Sequence, residues 1–206
     1  MKYENETKKR IRKTALEFFN KRSFDKVTIN EICKACNINK HTFYYYFKSK
    51  DELLNNYYEI PSNIKTSDIN ELINTESYVE QLWLTNKNFI DFIENSGEHV
   101  IKQIIIKNLT DDIGTFKFSD KKKELFKLQE SIIKKGQDNL QIMNKTEPRI
   151  LVITYWQLMH YIVIIWSSKK GNFYFSDAAR YVFERLFDVA PKYVKIKSNY
   201  FSDIFE

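Results

Sequence analysis

Six of the seven residues from 40 to 46 carry groups that can hydrogen-bond or carry charge: Lys40, His41, Thr42, Tyr44, Tyr45 and Tyr46. An ammonium, an imidazole and four hydroxyls in so short a run suit non-covalent recognition of phosphate oxygens and base edges. At roughly 100° per residue a helix over residues 40–47 puts Phe43 and Phe47 on one face, with His41 and Tyr45 opposite. Thr42, Tyr44 and Tyr46 flank the open face. Two helical turns bury little, so these side chains are hard to account for as core. A groove of duplex nucleic acid suits them: polar and apolar groups at the helix start meet base edges and thymine methyls, while flanking hydroxyls and Lys40 meet the backbone.

The elements that must hold this helix are written into residues 28–54. Thr28 can accept from the backbone N–H of Glu31, Glu31 can reach back to Thr28, and Val27 can pack on Ile32, so a capping box and a hydrophobic staple coincide at one helix start. The chain must then reverse at Cys36-Asn37-Ile38, where Asn is the best non-glycine choice for a left-handed backbone. Ser49-Lys50-Asp51-Glu52 repeats the cap signature and predicts a further helix from Lys50 through Leu53 and Leu54. Two capped helices about a tight turn, with a third behind, are the layout of a helix-turn-helix reader.

On these residues the segment from about Thr7 to Leu54 resembles the DNA-binding domain of the TetR/AcrR family of bacterial transcriptional regulators. The resemblance rests on Ala15 and Phe18-Phe19, then Phe24 and Thr28, then Lys40-x-Thr42-Phe43-Tyr44-x-Tyr46-Phe47, and Lys50-x-x-Leu53. It implies that Thr28, Lys40, Thr42, Tyr44, Tyr45, Tyr46 and Lys50 approach DNA, mostly its backbone; Asn30 and His41 complete the expected DNA-binding set. The chain departs from the family pattern at Ser23 and Asn37, where glycine is usual, and at His41, where glycine is frequent. His41 adds a side chain at the helix start and so bears on sequence preference.

Charge agrees independently. Residues 1–54 hold 13 Lys and Arg against 7 Asp and Glu, a net of +6, whereas residues 55–206 hold 20 of each. The whole positive excess sits on the proposed reader, so its partner is a polyanion and binding weakens with salt.

The remaining chain reads as helices with few breaks, since only four glycines and three prolines occur in 206 residues. Residues 76–95 show apolar positions at helical spacing before a break at Gly97, and residues 100–109 form a second stretch. Asp120 can cap a helix fading near Gly136 or Leu140, Pro148 opens a long helix through Trp166, and Ser176 begins a last one that Pro191 closes. The tail after Pro191 has no clear period. The fold class expected is all-α: an N-terminal three-helix reader, residues 1–54, and a helical bundle for ligand binding and dimerisation, residues 55–206.

Other chemistries are disfavoured. Cys33 and Cys36 form a CxxC, but no second pair exists and the three histidines lie far apart, so small packed thiols are expected and no metal. No phosphate loop, nucleophile with an adjacent base or repeated carboxylate pair is present, so neither catalytic residues nor a cofactor are expected. Asp111-Asp112 beside Gly114 reads as a solvated loop. Residues 150–166 reach about 25 Å as a helix, short of the ~30 Å hydrocarbon layer, and carry Gln157 and His160. They predict a helix buried on every side rather than a membrane span. Charged residues at the start and reduced cysteines fit a cytoplasmic protein.

A two-turn recognition helix contacts too few base pairs to select a site alone, so a homodimer on a palindromic operator is expected, paired through helices near 147–168 and 176–190. The resemblance also implies a cavity for a small-molecule effector. Trp83, Asn86, Phe89, Gln103, Phe126, Gln129, Tyr155, Trp156 and His160 are the candidate effector residues, being polar groups or large rings on apolar stripes that carry no clear acid. The alternative is a DNA-anchoring or architectural protein with the same reader and no effector.

Overall fold

In the computed structural model, residues 6–57, 64–110 and 120–196 are described. Among them are ten α-helices, two short 3-10 turns and no strand; one isolated bridge joins Ile142 and Val189. The pair Asp111-Asp112 and the end of the tail lie outside the described residues. The helices fall into two compact units, Met1–Ile60 with Ser96–Thr115, and Pro61–Asn95 with Phe116–Glu206.

The first unit holds α1 (Glu6–Arg22), α2 (Ile29–Ala35), α3 (Lys40–Tyr46), a 3-10 turn (Asp51–Tyr57) and α7 (Glu98–Thr110). Along α1, Ile11, Ala15 and Phe19 recur every four residues and are fully buried. They share a core with Phe24, Val27, Ile32, Phe43, Phe47, Leu53 and Leu54, and α7 packs against α1. Phe43 carries much of α3's attachment; Phe43→Ala would cost about 3–5 kcal/mol. Cys33 and Cys36 are buried free thiols, and burial pushes the Cys33 thiol up. Gly97 (φ 76°) starts the turn into α7, where an added Cβ would lie 2.7 Å from Asn20 Oδ1.

The helix expected from Lys50 is instead the 3-10 turn beginning at Asp51. Ser49 Oγ does accept from Glu52 N at 3.3 Å, but the Glu52 carboxylate takes the amide of Lys48 rather than that of Ser49. The reciprocal half of the box is therefore missing, and the turn closes tighter.

The second unit holds α4 (Thr66–Asn74), α5 (Tyr78–Leu84), α6 (Lys87–Ser96, its last residue grouping with the first unit), α8 (Asp120–Asp138), α9 (Pro148–Ser168) and α10 (Phe175–Leu186). Helix α9 packs against both α8 and α10. Its Leu151, Val152, Tyr155, Trp156, Met159, Ile162, Val163 and Trp166 are buried.

Four expectations are corrected in this unit. The stretch 76–95 is two helices, interrupted at Thr85-Asn86. There the Thr85 hydroxyl and the Asn86 amide both donate to Leu82 O, at 2.6 and 2.8 Å, and bend the chain. The long helix is not buried all round: Ile150, Ile153, Tyr161 and Ile164 line one exposed stripe, Tyr161 being 59% exposed. The last helix begins at Phe175 and stops at Leu186, leaving Ala190 beyond it. An acid does lie inside: Glu184 is buried with Arg180, whose guanidinium Nε donates to it at 2.7 Å and whose Nη2 donates to Glu80 at 2.7 Å. Glu184 also accepts from Lys195 N and Ile196 N, which fastens the described part of the tail.

Scarcity of glycine leaves a mark on helix ends. Helices α2, α8, α9 and α10 each close in paired bonds of the Schellman type, and the left-handed positions are Asn37, Leu140, Lys170 and Asp188. For α2 the bonds run from Ile38 N to Cys33 O at 3.0 Å and from Asn37 N to Lys34 O at 3.2 Å. Ser23, which follows α1, is likewise left-handed at φ 71°. That backbone explains why glycine would suit positions 23 and 37.

Candidate nucleic-acid interface

The start of α2 is built as its sequence implies. Thr28 is extended (φ −100°), its hydroxyl accepts from Glu31 N at 3.3 Å, and its own amide donates to Glu31 Oε2 at 2.8 Å. The Thr28 hydroxyl donates to the same carboxylate at 2.9 Å, and Arg22 Nη1 donates to Glu31 Oε1 at 2.7 Å. The Thr28 amide first, then the Arg22 guanidinium and the Thr28 hydroxyl, hold the Glu31 carboxyl down to about 2. Arg22 is not legible as part of this group from the sequence, because it is nine residues away and on another helix.

Helix α3 starts from a cap that the residue pattern allows but that the reading above does not include. Asn39 Oδ1 accepts from Thr42 N at 2.8 Å and from the Thr42 hydroxyl at 3.0 Å. Asn immediately before a helix is itself the signal. The Thr42 hydroxyl proton is thus engaged within the helix, and its lone pairs remain to accept.

The face expected from the wheel is present. Phe43 and Phe47 are buried, with ring centroids 5.7 Å apart, while Tyr45 is 78% and Tyr44 49% exposed. Lys40 and His41 are exposed at the helix start, and Thr28 and Asn30 are exposed on α2. Tyr46 is half-buried and meets Tyr45 edge-on at 4.9 Å. Thr28, Asn30, Lys40, His41, Thr42, Tyr44, Tyr45 and Tyr46 therefore all keep at least part of their surface open.

Lys50 is placed differently from a free surface cation. Its ammonium donates to Phe24 O at 2.9 Å and to Val27 O at 3.1 Å, and it lies 4.2 Å from the Phe24 ring centroid. Two of its three N–H groups close the loop that delivers Thr28 to the start of α2.

The effector candidates divide. Gln129 Nε2 donates to Thr85 Oγ1 at 2.9 Å and to Asn86 Oδ1 at 3.1 Å, while its Oε1 accepts from Trp156 Nε1 at 3.0 Å. Phe89 meets Trp156 edge-on at 5.1 Å, Phe126 stacks on it at 6.0 Å and 15°, and the His160 ring lies 6.3 Å away. Asn86, Phe89, Phe126, Gln129, Trp156 and His160 thus form one cluster. Trp83 belongs to another, packed on Phe183 at 5.4 Å beneath the Arg180 guanidinium. Tyr155 lies with Phe183 and Phe187, its hydroxyl buried without a hydrogen-bond partner, and burial pushes that hydroxyl's pKa up. Gln103 lies on α7, in the first unit. Lys122, on α8 one turn before Phe126, carries no signal in the sequence that sets it apart from its lysine neighbours: burial lowers its pKa, and its charge acts on His160.

Comparison with known proteins agrees with this geometry. Residues 11–57 match the model of bacterial regulatory proteins, tetR family. The uncharacterized HTH-type transcriptional regulator YerO of Bacillus subtilis (strain 168) is 50% identical over 50 residues, which cover 24% of this chain and only 17% of that protein. The TetR-family regulator PfmR from Thermus thermophilus superposes with a TM-score of 0.60 at 12% identity, over 87% of this chain and 98% of that one. FadR of Thermus thermophilus, a TetR-family repressor in complex with lauroyl-CoA, gives 0.52 at 18% identity, over 87% and 92%. The family match falls on the helix-turn-helix unit, and the solved structures share the order and packing of helices over most of the chain. Residues 11–57 thus carry a reader of the kind found in the tetR family of bacterial regulatory proteins.

Proposed function

We propose that the protein is a dimeric, cytoplasmic repressor that holds a palindromic operator and leaves it when a small molecule binds the helical unit. In this reading residues 1–54 are the DNA-binding domain and residues 55–206 the effector and dimerisation domain. One observation carries it: α3 is pinned by buried Phe43 and Phe47 and turns Lys40, His41, Tyr44 and Tyr45 outward beside the capped start of α2. Lys40, Tyr44 and Tyr46 donate to phosphates, Thr28 and Thr42 lie at the helix starts beside them with their hydroxyl protons held by Glu31 and Asn39, and His41, Tyr45 and Asn30 read base edges.

Pairing follows from α9. Ile150, Ile153, Tyr161 and Ile164 recur at three- and four-residue spacing around Gln157, and a contiguous apolar stripe on a helix is stable when covered. A second copy covers it isologously and sets two recognition helices one turn of DNA apart, about 34 Å. An effector preferring another separation lowers DNA affinity, and DNA lowers effector affinity by the same factor. FadR of Thermus thermophilus, a repressor of similar fold holding a small molecule, supports a ligand-responsive unit here.

Selection of bound fragments from a random duplex library tests the reading. A palindromic consensus with half-sites about 10 base pairs apart is expected. Light scattering at micromolar concentration should give dimers, and Ile153→Glu with Tyr161→Glu should give monomers. Failure to bind any duplex at low ionic strength overturns the proposal.

A further inference from the structure

The cluster around Trp156 combines features that a well-sealed core does not need. Trp156 is held rigidly, because its indole N–H is fixed by Gln129, which is itself fixed by Thr85 and Asn86. Rings lie on several sides of it: Phe126 stacked, Phe89 edge-on and His160 tilted at 43°. Trp156 and Phe89 are buried, whereas Phe126, His160 and Lys122 are only half-buried, so the cluster opens toward its Phe126 and His160 side. At that side two groups able to carry positive charge come together. Lys122 precedes Phe126 by four residues on α8 and shares its face. His160 follows Trp156 by four residues on α9, and the charge of Lys122 is felt there. Burial lowers both groups, and burial together with Lys122 brings His160 to about 4. Placing two cation-forming groups together among rings disfavours their charged forms, and an anion settling between them would favour those forms again.

We propose that Phe89, Phe126, Trp156, His160 and Lys122 form the binding site for an amphipathic anion: an apolar chain or ring laid along the rings, with a carboxylate or phosphate held by Lys122 and His160. This rests on the reading of the helical unit as an effector domain and names the chemistry of its ligand. Lys122 contributes a charged donor, which strengthens hydrogen bonds to an anion. Trp156 and Phe126 contribute large apolar faces of fixed orientation.

Calorimetry on the full chain with four probes of one chain length, below their aggregation limits, tests the site: dodecanoate, dodecanoyl-CoA, dodecanol and dodecylammonium. At least one of the two anions should bind about tenfold or more tightly than dodecanol, and dodecylammonium more weakly than dodecanol. Preference for dodecanoate alone identifies a carboxylate head, and preference for dodecanoyl-CoA alone identifies a phosphate-bearing one. Lys122→Met and His160→Phe, each checked for helical content, should narrow the anion's advantage over dodecanol, measured on the same variant, to about threefold or less. Equal affinity for the anions and the alcohol, anion binding indifferent to Lys122→Met, or no binding by any probe overturns the proposal. Operator affinity, measured separately with and without the bound anion, distinguishes the two readings. An anion that binds through Lys122 yet leaves operator affinity unchanged upholds the site and overturns the effector role.

Discussion

Replacing Gln129 by Leu removes the hub of the buried network while keeping roughly its volume. Three hydrogen bonds disappear: two donated to Thr85 and Asn86, and one accepted from Trp156. Their losses are unequal. Thr85 Oγ1 keeps its donation to Leu82 O, and Asn86 Nδ2 keeps its own bond to the same carbonyl, so neither donor is stranded. Two groups are left without partners: the amide oxygen of Asn86, which is 1% exposed, and the indole N–H of Trp156, which is 9% exposed. A stranded buried polar group costs about 1–3 kcal/mol, so the expected loss for the two is about 2–6 kcal/mol. Urea unfolding followed by circular dichroism measures it as a fall in midpoint at constant slope. A double-mutant cycle makes the reasoning sharper. Trp156→Phe removes the stranded N–H, so in the Gln129→Leu background it should cost at least about 1 kcal/mol less than in the native chain. Coupling below about 0.5 kcal/mol would mean that the network does not hold Trp156, and the rigid wall invoked for the ligand site would go with it.

Ser23→Gly and Leu140→Gly each relieve a left-handed non-glycine residue, at φ 71° and 55°. Each should stabilise by about 1 kcal/mol, and together by about 2, read as a rise in thermal midpoint; a fall at either position would refute the strain. Glu31 titrates at about 2 instead of 4.5, so its cap contributes fully above about 4.5 and is lost as pH falls through about 2. Denaturant midpoints between about pH 5 and 2 should decline less in Glu31→Gln than in the native chain, and parallel curves would count against the cap. For DNA, Lys40→Ala should weaken all sequences alike and flatten the salt slope by about one, while Tyr45→Ala and His41→Ala change which sites are preferred. An unchanged selected consensus in both of the latter would remove their reading role. Lys50→Met should cost about 1–3 kcal/mol of stability, because Phe24 O and Val27 O lose a charged donor; stability unchanged by that substitution would dismiss the latch.

What local order could determine, the residues alone determined. A capping box needs only four positions, a left-handed turn only Asn37, and the two faces of α3 only the angle per residue, so the reader and its open surface were legible from residues 28–47. The charge excess over residues 1–54 is likewise a count. Contacts between distant residues were not legible. The partner of Glu31 is Arg22 on another helix, Lys50 closes a loop more than twenty residues away, and Glu184 is buried only because Arg180 and two tail amides meet it. The break at Thr85-Asn86 escaped the periodic pattern because back-bonding side chains, fixed by Gln129 from α8, decide it. Apolar residues on α9 pointed to burial, yet which of them face outward depends on what α8 and α10 cover. Side-chain type and spacing set each helix and its preferred face; packing in three dimensions decided which polar groups are spent on one another and which remain for a ligand.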